Sequence, residues 1–147
     1  MSRSLEEWIK FYNRKVSEPF KRDERYELFY SPEHGFCEIA VIDKMLIVQQ
    51  LCGNLRYWRD IIERAARASN LKAIGTFCCR SILPYLKLGG FSIRGSEEVK
   101  EGRRYYCEDF NTGQLGQASP AWLMPNGKRA YFITWSVNYD DVRFTTI

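Results

Sequence analysis

Met45-Leu46-Ile47-Val48-Gln49-Gln50-Leu51-Cys52-Gly53-Asn54-Leu55 runs from an apolar segment straight into the start of a helix. Residues 45–50 are apolar and β-branched enough to favour a strand. From Leu55 the period changes. Leu55, Trp58, Ile61, Ile62, Ala65, Ala66 and Ala68 recur as one broad stripe, while Arg56, Arg59, Asp60, Glu63, Arg64 and Arg67 fall mainly off it. That is an amphipathic helix laid on a sheet. Arg59 with Glu63 and Asp60 with Arg64 have i,i+4 spacing. Asn54 is placed to cap the helix, and Asn70 to close it in a left-handed turn. Residues 71–78 then read as a buried strand, so 45–78 predict a β–α–β unit whose two strands are parallel.

A strand that feeds a helix directly aims backbone N–H groups at whatever lies beyond the strand end. The helix N-terminus adds partial positive charge, so a pyrophosphate can be held there without a lysine. Gly53 would let the backbone approach such a ligand closely.

Upstream, Ser4 followed by Glu7 is a capping-box signature. Leu5, Trp8, Ile9, Tyr12 and Val16 continue it as a helix that ends before Pro19. Residues 26–30 and 36–42 read as strands around a turn-rich stretch, Ser31 to Gly35, and Asp43-Lys44 is a tight turn into 45–50. Downstream, 81–88 predict a short helix stopped by Gly89-Gly90, and a strand begins at Phe91. Residues 95–102 read as a polar turn, 103–110 as the returning arm of a hairpin, and 111–125 as irregular, with Gly113 to Pro125 the candidate mobile loop. Residues 130–137 form the clearest strand of the chain.

The length of 147 residues suits a single domain, 1–147. An apolar fraction of 45% and a charged fraction of 27% suit a folded core rather than disorder. A net charge of +4 favours anionic partners in general, but no block of Lys and Arg marks a nucleic-acid arm. Five cysteines with no CxxC pair and one histidine argue against a disulfide framework and a zinc site, and suit reduced thiols in a cytoplasmic protein. No apolar run reaches the ~20 residues that cross a bilayer.

Two segments in order resemble the GNAT N-acetyltransferase superfamily. In that family a strand leads to a pyrophosphate loop of the form Gln/Arg-x-x-Gly-x-Gly/Ala and then a long helix; here the loop reads Gln50-Leu51-Cys52-Gly53-Asn54-Leu55. A Tyr-x-x-x-Gly-Phe-like motif follows at Tyr85-Leu86-Lys87-Leu88-Gly89-Gly90-Phe91. The likeness spans about residues 36–110. It implies an α/β (α+β) fold with a central mixed sheet, mostly antiparallel with one parallel β–α–β unit, and helices on both faces. It implies an acyl-CoA-dependent N-acyltransferase, with acetyl-CoA as co-substrate and an amine acceptor that attacks the acyl carbon directly. Backbone groups of Leu51, Cys52, Gly53, Asn54 and Leu55, with Gln50, would bind CoA pyrophosphate, and an N–H near Val48 would polarise the thioester carbonyl. Tyr85 would protonate the departing thiolate. No metal is implied.

The chain departs from the family pattern at named places. Leu55 replaces the second small residue of the loop, Cys78 stands where many relatives carry Asn, and Gly90 is inserted between the usual Gly and Phe. The 45–50 strand has no carboxylate, and Glu38 on the neighbouring strand is the candidate substitute base. Residues 111–147 are atypical, and offer themselves as part of an acceptor site or as a homodimer contact. Arg56, Arg59 and Arg64 lie where a CoA 3′-phosphate could be met. His34 is a weaker catalytic candidate, in a turn between strands, and Cys78-Cys79 a weaker nucleophilic one. The aromatic residues Tyr105, Tyr106, Tyr131, Phe132 and Trp135 suit either an acceptor pocket or sheet packing. Two other classes stay open: a non-catalytic GNAT-like binding or structural protein, and a nucleic-acid-binding module.

Overall fold

Ser4 and Glu7 close a reciprocal capping box: the Glu7 N–H donates to Ser4 Oγ at 3.1 Å and the Ser4 N–H to Glu7 Oε1 at 2.8 Å. The helix they start, α1 (Leu5–Lys15), buries Trp8 and Tyr12. The computed structural model describes residues 2–137. After α1 come β1 (Glu27–Ser31), β2 (Gly35–Ile42), β3 (Met45–Gly53), α2 (Leu55–Ala68), β4 (Ala73–Cys78), α3 (Ile82–Leu88), β5 (Phe91–Val99), β6 (Gly102–Asp109), β7 (Leu115–Leu123) and β8 (Arg129–Ser136). The fold is α+β, with one mixed sheet in the order β1-β2-β3-β4-β8-β7-β6-β5. The β3–β4 pair is parallel and the others are antiparallel.

The expected β–α–β unit is present. Asn54 Oδ1 accepts from the Tyr57 N–H at 3.1 Å and caps α2, and Asn70 takes a left-handed φ of 58° after it. Asp43 and Lys44, at φ 50° and 64°, form the primed type of turn that matches strand twist between β2 and β3.

Between the register pairs Phe36↔Cys52 and Glu38↔Gln49, β2 contributes one residue and β3 two, Gln50 and Leu51. This is a β-bulge, and Gln50 takes the left-handed φ of 48° at its centre. In an unbroken strand Val48 and Cys52 would share a face. The bulge separates them. Val48 joins a core cluster with Trp58, Ile62 and Ala66 of α2, Leu86 of α3, and Ile133 and Trp135 of β8. Cys52 joins a second cluster with Trp8, Tyr12 and Phe36.

Two sequence expectations are corrected. The 95–102 segment is not a turn region, because β5 continues to Val99. Its residues are exposed and polar, and cross-strand pairs hold them: Glu97 with Arg104 at 3.2 Å and Glu98 with Arg103 at 3.7 Å. Nor is 113–125 a mobile loop: β7 fills most of it and pairs with β6 and β8. Gly116 is required there by crowding, since a Cβ would lie 2.9 Å from the Thr134 carbonyl oxygen. Pro120 is tolerated because β6 pairing stops at Ala118 and the β7–β8 register shifts beyond Pro120. Of the atypical 111–147 segment, residues 138–147 lie outside the described residues.

Candidate functional site

The parallel pairing of β3 with β4 covers only three register pairs, Leu46↔Ile74, Ile47↔Gly75 and Val48↔Thr76. Beyond Val48 and Thr76 each strand follows its other neighbour, β3 along β2 to Gly53 and β4 along β8 to Cys78. The strand ends therefore part. A cleft of about 850 Å³ opens beside the split, with Gln50, Leu51, Phe77, Cys79, Arg80 and Tyr85 in its lining. A small apolar cavity of about 20 Å³ lies at the same split, lined by Leu55, Thr76, Phe91 and Trp135 among others. Leu51 and Tyr85 line both.

Thr76 stands at the last parallel pair and is 4% exposed. Its Oγ1 is buried and has no hydrogen-bond partner. Ser17 Oγ, in the wall of the larger cleft, is in the same condition. Buried hydroxyls are nearly always satisfied, so these two orphans, one in the small cavity and one in the wall of the larger cleft, mark places where a ligand can donate or accept. Sequence reading missed both, because a Thr inside an apolar strand and a Ser after a helix carry no visible signal of being unpaired.

Tyr85 projects from α3 into this split and is buried. Burial, followed by the neighbouring Cys78, pushes its phenol above the ordinary value. At neutral pH it is therefore a protonated donor. The structure thus brings Tyr85 together with Leu51 and Gln50 of the predicted loop.

The Gln50 side chain is held by the Lys21 backbone and by Glu38. Its Nε2 donates to the Lys21 carbonyl at 2.7 Å and to Glu38 Oε1 at 2.6 Å, and its Oε1 accepts from the Lys21 N–H at 3.0 Å. Glu38 is fully buried. Its Oε2 accepts from Arg22 Nη1 at 2.5 Å and the Asp23 N–H at 2.8 Å, and its Oε1 also accepts from Gln49 Nε2 at 3.0 Å. Four donors satisfy both oxygens. In this geometry Glu38 anchors the chain around Lys21 to Asp23 against the sheet.

Cys52 is buried against Trp8, whose carbonyl lies 3.8 Å from its Sγ. Gly53 and Asn54 are engaged by the β1–β2 turn. The His34 carbonyl accepts from the Asn54 N–H and from Trp58 Nε1, both at 2.9 Å, and the His34 ring stacks on Tyr57 at 3.7 Å. His34 thus seats a hairpin on the start of α2. A Cβ on Gly53 would lie 2.0 Å from that carbonyl oxygen, so the His34 contact by itself requires a glycine there. The Tyr57 and Trp58 N–H groups are capped by Asn54, while those of Leu55 and Arg56 have no partner among the described residues.

Arg59 is drawn inward. It pairs with Glu63 at 2.9 Å and Asp109 at 2.6 Å and lies over the Phe91 ring at 4.2 Å. Arg64 pairs with Asp60 on the surface. Burial pushes the Cys78 thiol up to about 12 and the Cys79 thiol up to about 11, so neither is an activated nucleophile. Trp135 packs edge-on against Phe91, and Tyr105 lies tilted against Tyr131, so these rings serve sheet packing. Among the described residues no three His, Cys, Asp or Glu side chains gather as a metal-ligand set, and no helix is long and apolar enough to cross a membrane.

Compared with protein-family models, curated proteins and solved structures, the chain gives no match.

Proposed function

We propose that the chain is an acyl-CoA-dependent N-acyltransferase of GNAT type. One observation carries the reading: β3 and β4 part at Val48 and Thr76, with the orphan Thr76 hydroxyl and the protonated Tyr85 phenol at the split. A pantetheine-like chain is narrow, largely apolar and punctuated by amides. It suits the cleft of about 850 Å³, whose end at Leu51 and Tyr85 meets the small cavity that holds the unpaired hydroxyl. The unpartnered N–H groups of Leu55 and Arg56 at the start of α2 are the donors for a diphosphate. One apolar cluster built on α1 and another on α2 and α3 agree with a GNAT-like sheet flanked by helices on both faces.

In this reading an amine in the larger cleft attacks the acyl carbon. A C–N bond forms, the C–S bond breaks, and the sulfur takes the Tyr85 proton. The amine loses its proton to solvent, from which Tyr85 is reprotonated. Glu38 takes no part in proton transfer; through Gln50 and Gln49 it fixes the bulge that splits the strands.

A second reading has a specific observation in its favour. The His34 carbonyl occupies the Asn54 N–H, which a pyrophosphate loop would use, as a ligand-free scaffold would arrange it. Calorimetric titration with acetyl-CoA separates the two, with Leu51→Trp as the variant that fills that end of the cleft. Micromolar binding abolished by Leu51→Trp supports the enzyme. No binding to the wild-type chain at millimolar acetyl-CoA leaves the scaffold.

A further inference from the structure

Beside the large cleft lies a second concavity of about 370 Å³, built where three segments meet. Lys15 ends α1, Arg80 and Ser81 join β4 to α3, Asn126 and Lys128 belong to the β7–β8 turn, and Arg129 opens β8. Four cations line it and no carboxylate does. The sign is particular to this place. The lining of the large cleft mixes both charges, with Glu18, Asp23 and Glu24 among its residues; Asp23 pairs with Arg25 at 2.7 Å, and Glu18 accepts from Trp122 Nε1 at 2.6 Å.

The cations of the small pocket are only partly spent. Arg129 reaches Glu101 at 3.4 Å and the Ala121 carbonyl at 3.2 Å, and Lys15 lies over the Phe11 ring at 5.3 Å. The side chains of Arg80 and Lys128 have no partner among the described residues. Ser81 is the N-cap of α3 yet makes no side-chain capping bond, so its hydroxyl is free as well. Convergent cations and hydroxyl donors in one hollow are the chemistry that holds a tetrahedral oxyanion.

We propose that this pocket binds a phosphate-class oxyanion and that, resting on the acyltransfer reading above, the oxyanion is carried by the acceptor amine. Cys79 and Arg80 line both hollows, so the two are neighbours across these residues. An acceptor anchored by its phosphate at Arg80 and Lys128 reaches past Cys79 toward Tyr85, where the amine is needed. The recognised class is an amine bearing a phosphate group at its far end. Lys15, Arg80 and Lys128 are exposed, so neutral replacements remove charge without disturbing the core.

The test titrates inorganic phosphate into ¹⁵N-labelled full-length protein at constant ionic strength. Saturable shifts are expected at the amides of residues 80–82 and 127–129. Affinity should fall about tenfold or more in Arg80→Gln, as for loss of a charge-assisted hydrogen bond, and also in Lys128→Gln, with the melting temperature unchanged. Absence of saturable shifts, or equal affinity in wild type and both variants, overturns the site. A second arm repeats the titration on protein saturated with CoA. Undiminished phosphate binding is expected. Competitive loss, with weaker CoA binding in Arg80→Gln, assigns the pocket to the phosphates of CoA and overturns the acceptor assignment. Phosphate binding in a chain that ignores CoA removes the acyltransfer reading and keeps the oxyanion site. CoA binding without a phosphate response does the reverse.

Discussion

Gly35 and Gly53 face each other across β2 and β3, and each fills the space that the other's Cβ would need. Both have φ near +110°, at 110° and 109°, and a Cβ on either would come within 2.9 Å of the other's Cα. The glycine that a phosphate-loop reading singles out is thus explained by its own sheet. Gly53→Ala should lower stability by at least about 2 kcal/mol, from the left-handed backbone and the backbone clash together. Chemical denaturation checks it, and an unchanged midpoint refutes this account of Gly53.

Thr76→Val replaces an unpartnered buried hydroxyl by a methyl group of the same shape. Stability should stay level or rise by up to about 1 kcal/mol, since no hydrogen bond is lost. Acetyl-CoA affinity should fall about two- to tenfold, the value of one hydrogen bond to a ligand. A clear loss of stability would show that the hydroxyl has a partner in the free protein.

Tyr85→Phe should lower kcat by about a hundredfold or more and leave KM for the acyl donor little changed, because the phenol acts as the sulfur departs. Burial pushes the phenol above its ordinary value of 10.0, so the wild-type rate should not fall from this group as pH rises to that value. A steady-state pH profile with an alkaline limb below pH 10 that vanishes in Tyr85→Phe would contradict the burial.

Arg59 joins Glu63 and Asp109 in a largely buried group. Arg59→Met takes the shared cation from both carboxylates, leaving Glu63 with Trp135 Nε1 and Arg67 and Asp109 with backbone N–H groups, and should cost about 3 kcal/mol. Burial alone would raise the Asp109 pKa, but the Thr112 and Asn111 N–H groups and Arg59 outweigh it and hold the carboxyl below its ordinary value. Its contribution is therefore full above the ordinary value of 3.8 and is lost as pH falls through the lower folded value. Asp109→Asn should flatten the acid limb of a stability profile.

The thiols report on the opposite limb. Burial pushes Cys37 and Cys78 up to about 12, and Cys52 and Cys107 up to about 11, from an ordinary 9.0. The unfolded chain loses these protons first, so their stabilisation is complete below pH 9 and is lost as pH rises toward 12. Denaturant midpoints at pH 8 and above pH 10 should show the fall. In the native protein at pH 8 a disulfide reagent should label these four thiols much more slowly than in the unfolded chain.

The β–α–β unit was legible because period alone distinguishes Met45–Gln50 from the stripe that begins at Leu55, and because Asn54 and Asn70 are residues whose chemistry sets helix ends. β5 and β7 were not. Ser96, Glu97 and Glu98 look like a turn until Arg103 and Arg104 face them across the hairpin. Gly116 and Pro120 break a strand pattern unless Thr134 and the irregular register are known. At the site, Tyr85 could be found from its spacing to Gly89-Gly90-Phe91. The anchoring of Glu38 by Arg22 and Gln50, the hold of His34 on Asn54, and the charge pocket at Arg80 all join residues distant in sequence. No local pattern encodes such meetings.

β8 lies between β4 and β7, although it is the last strand to be made among the described residues. Until residues 129–136 have left the ribosome, the nascent chain holds two separate half-sheets, β1 to β4 and β5 to β7. Each has an unprotected edge, on β4 and on β7, that only β8 can cover. During synthesis these edges are open to pairing with another chain. A chaperone or slow final translation would matter most over that interval, and a stop codon before Arg129 should give an insoluble product rather than a smaller working domain.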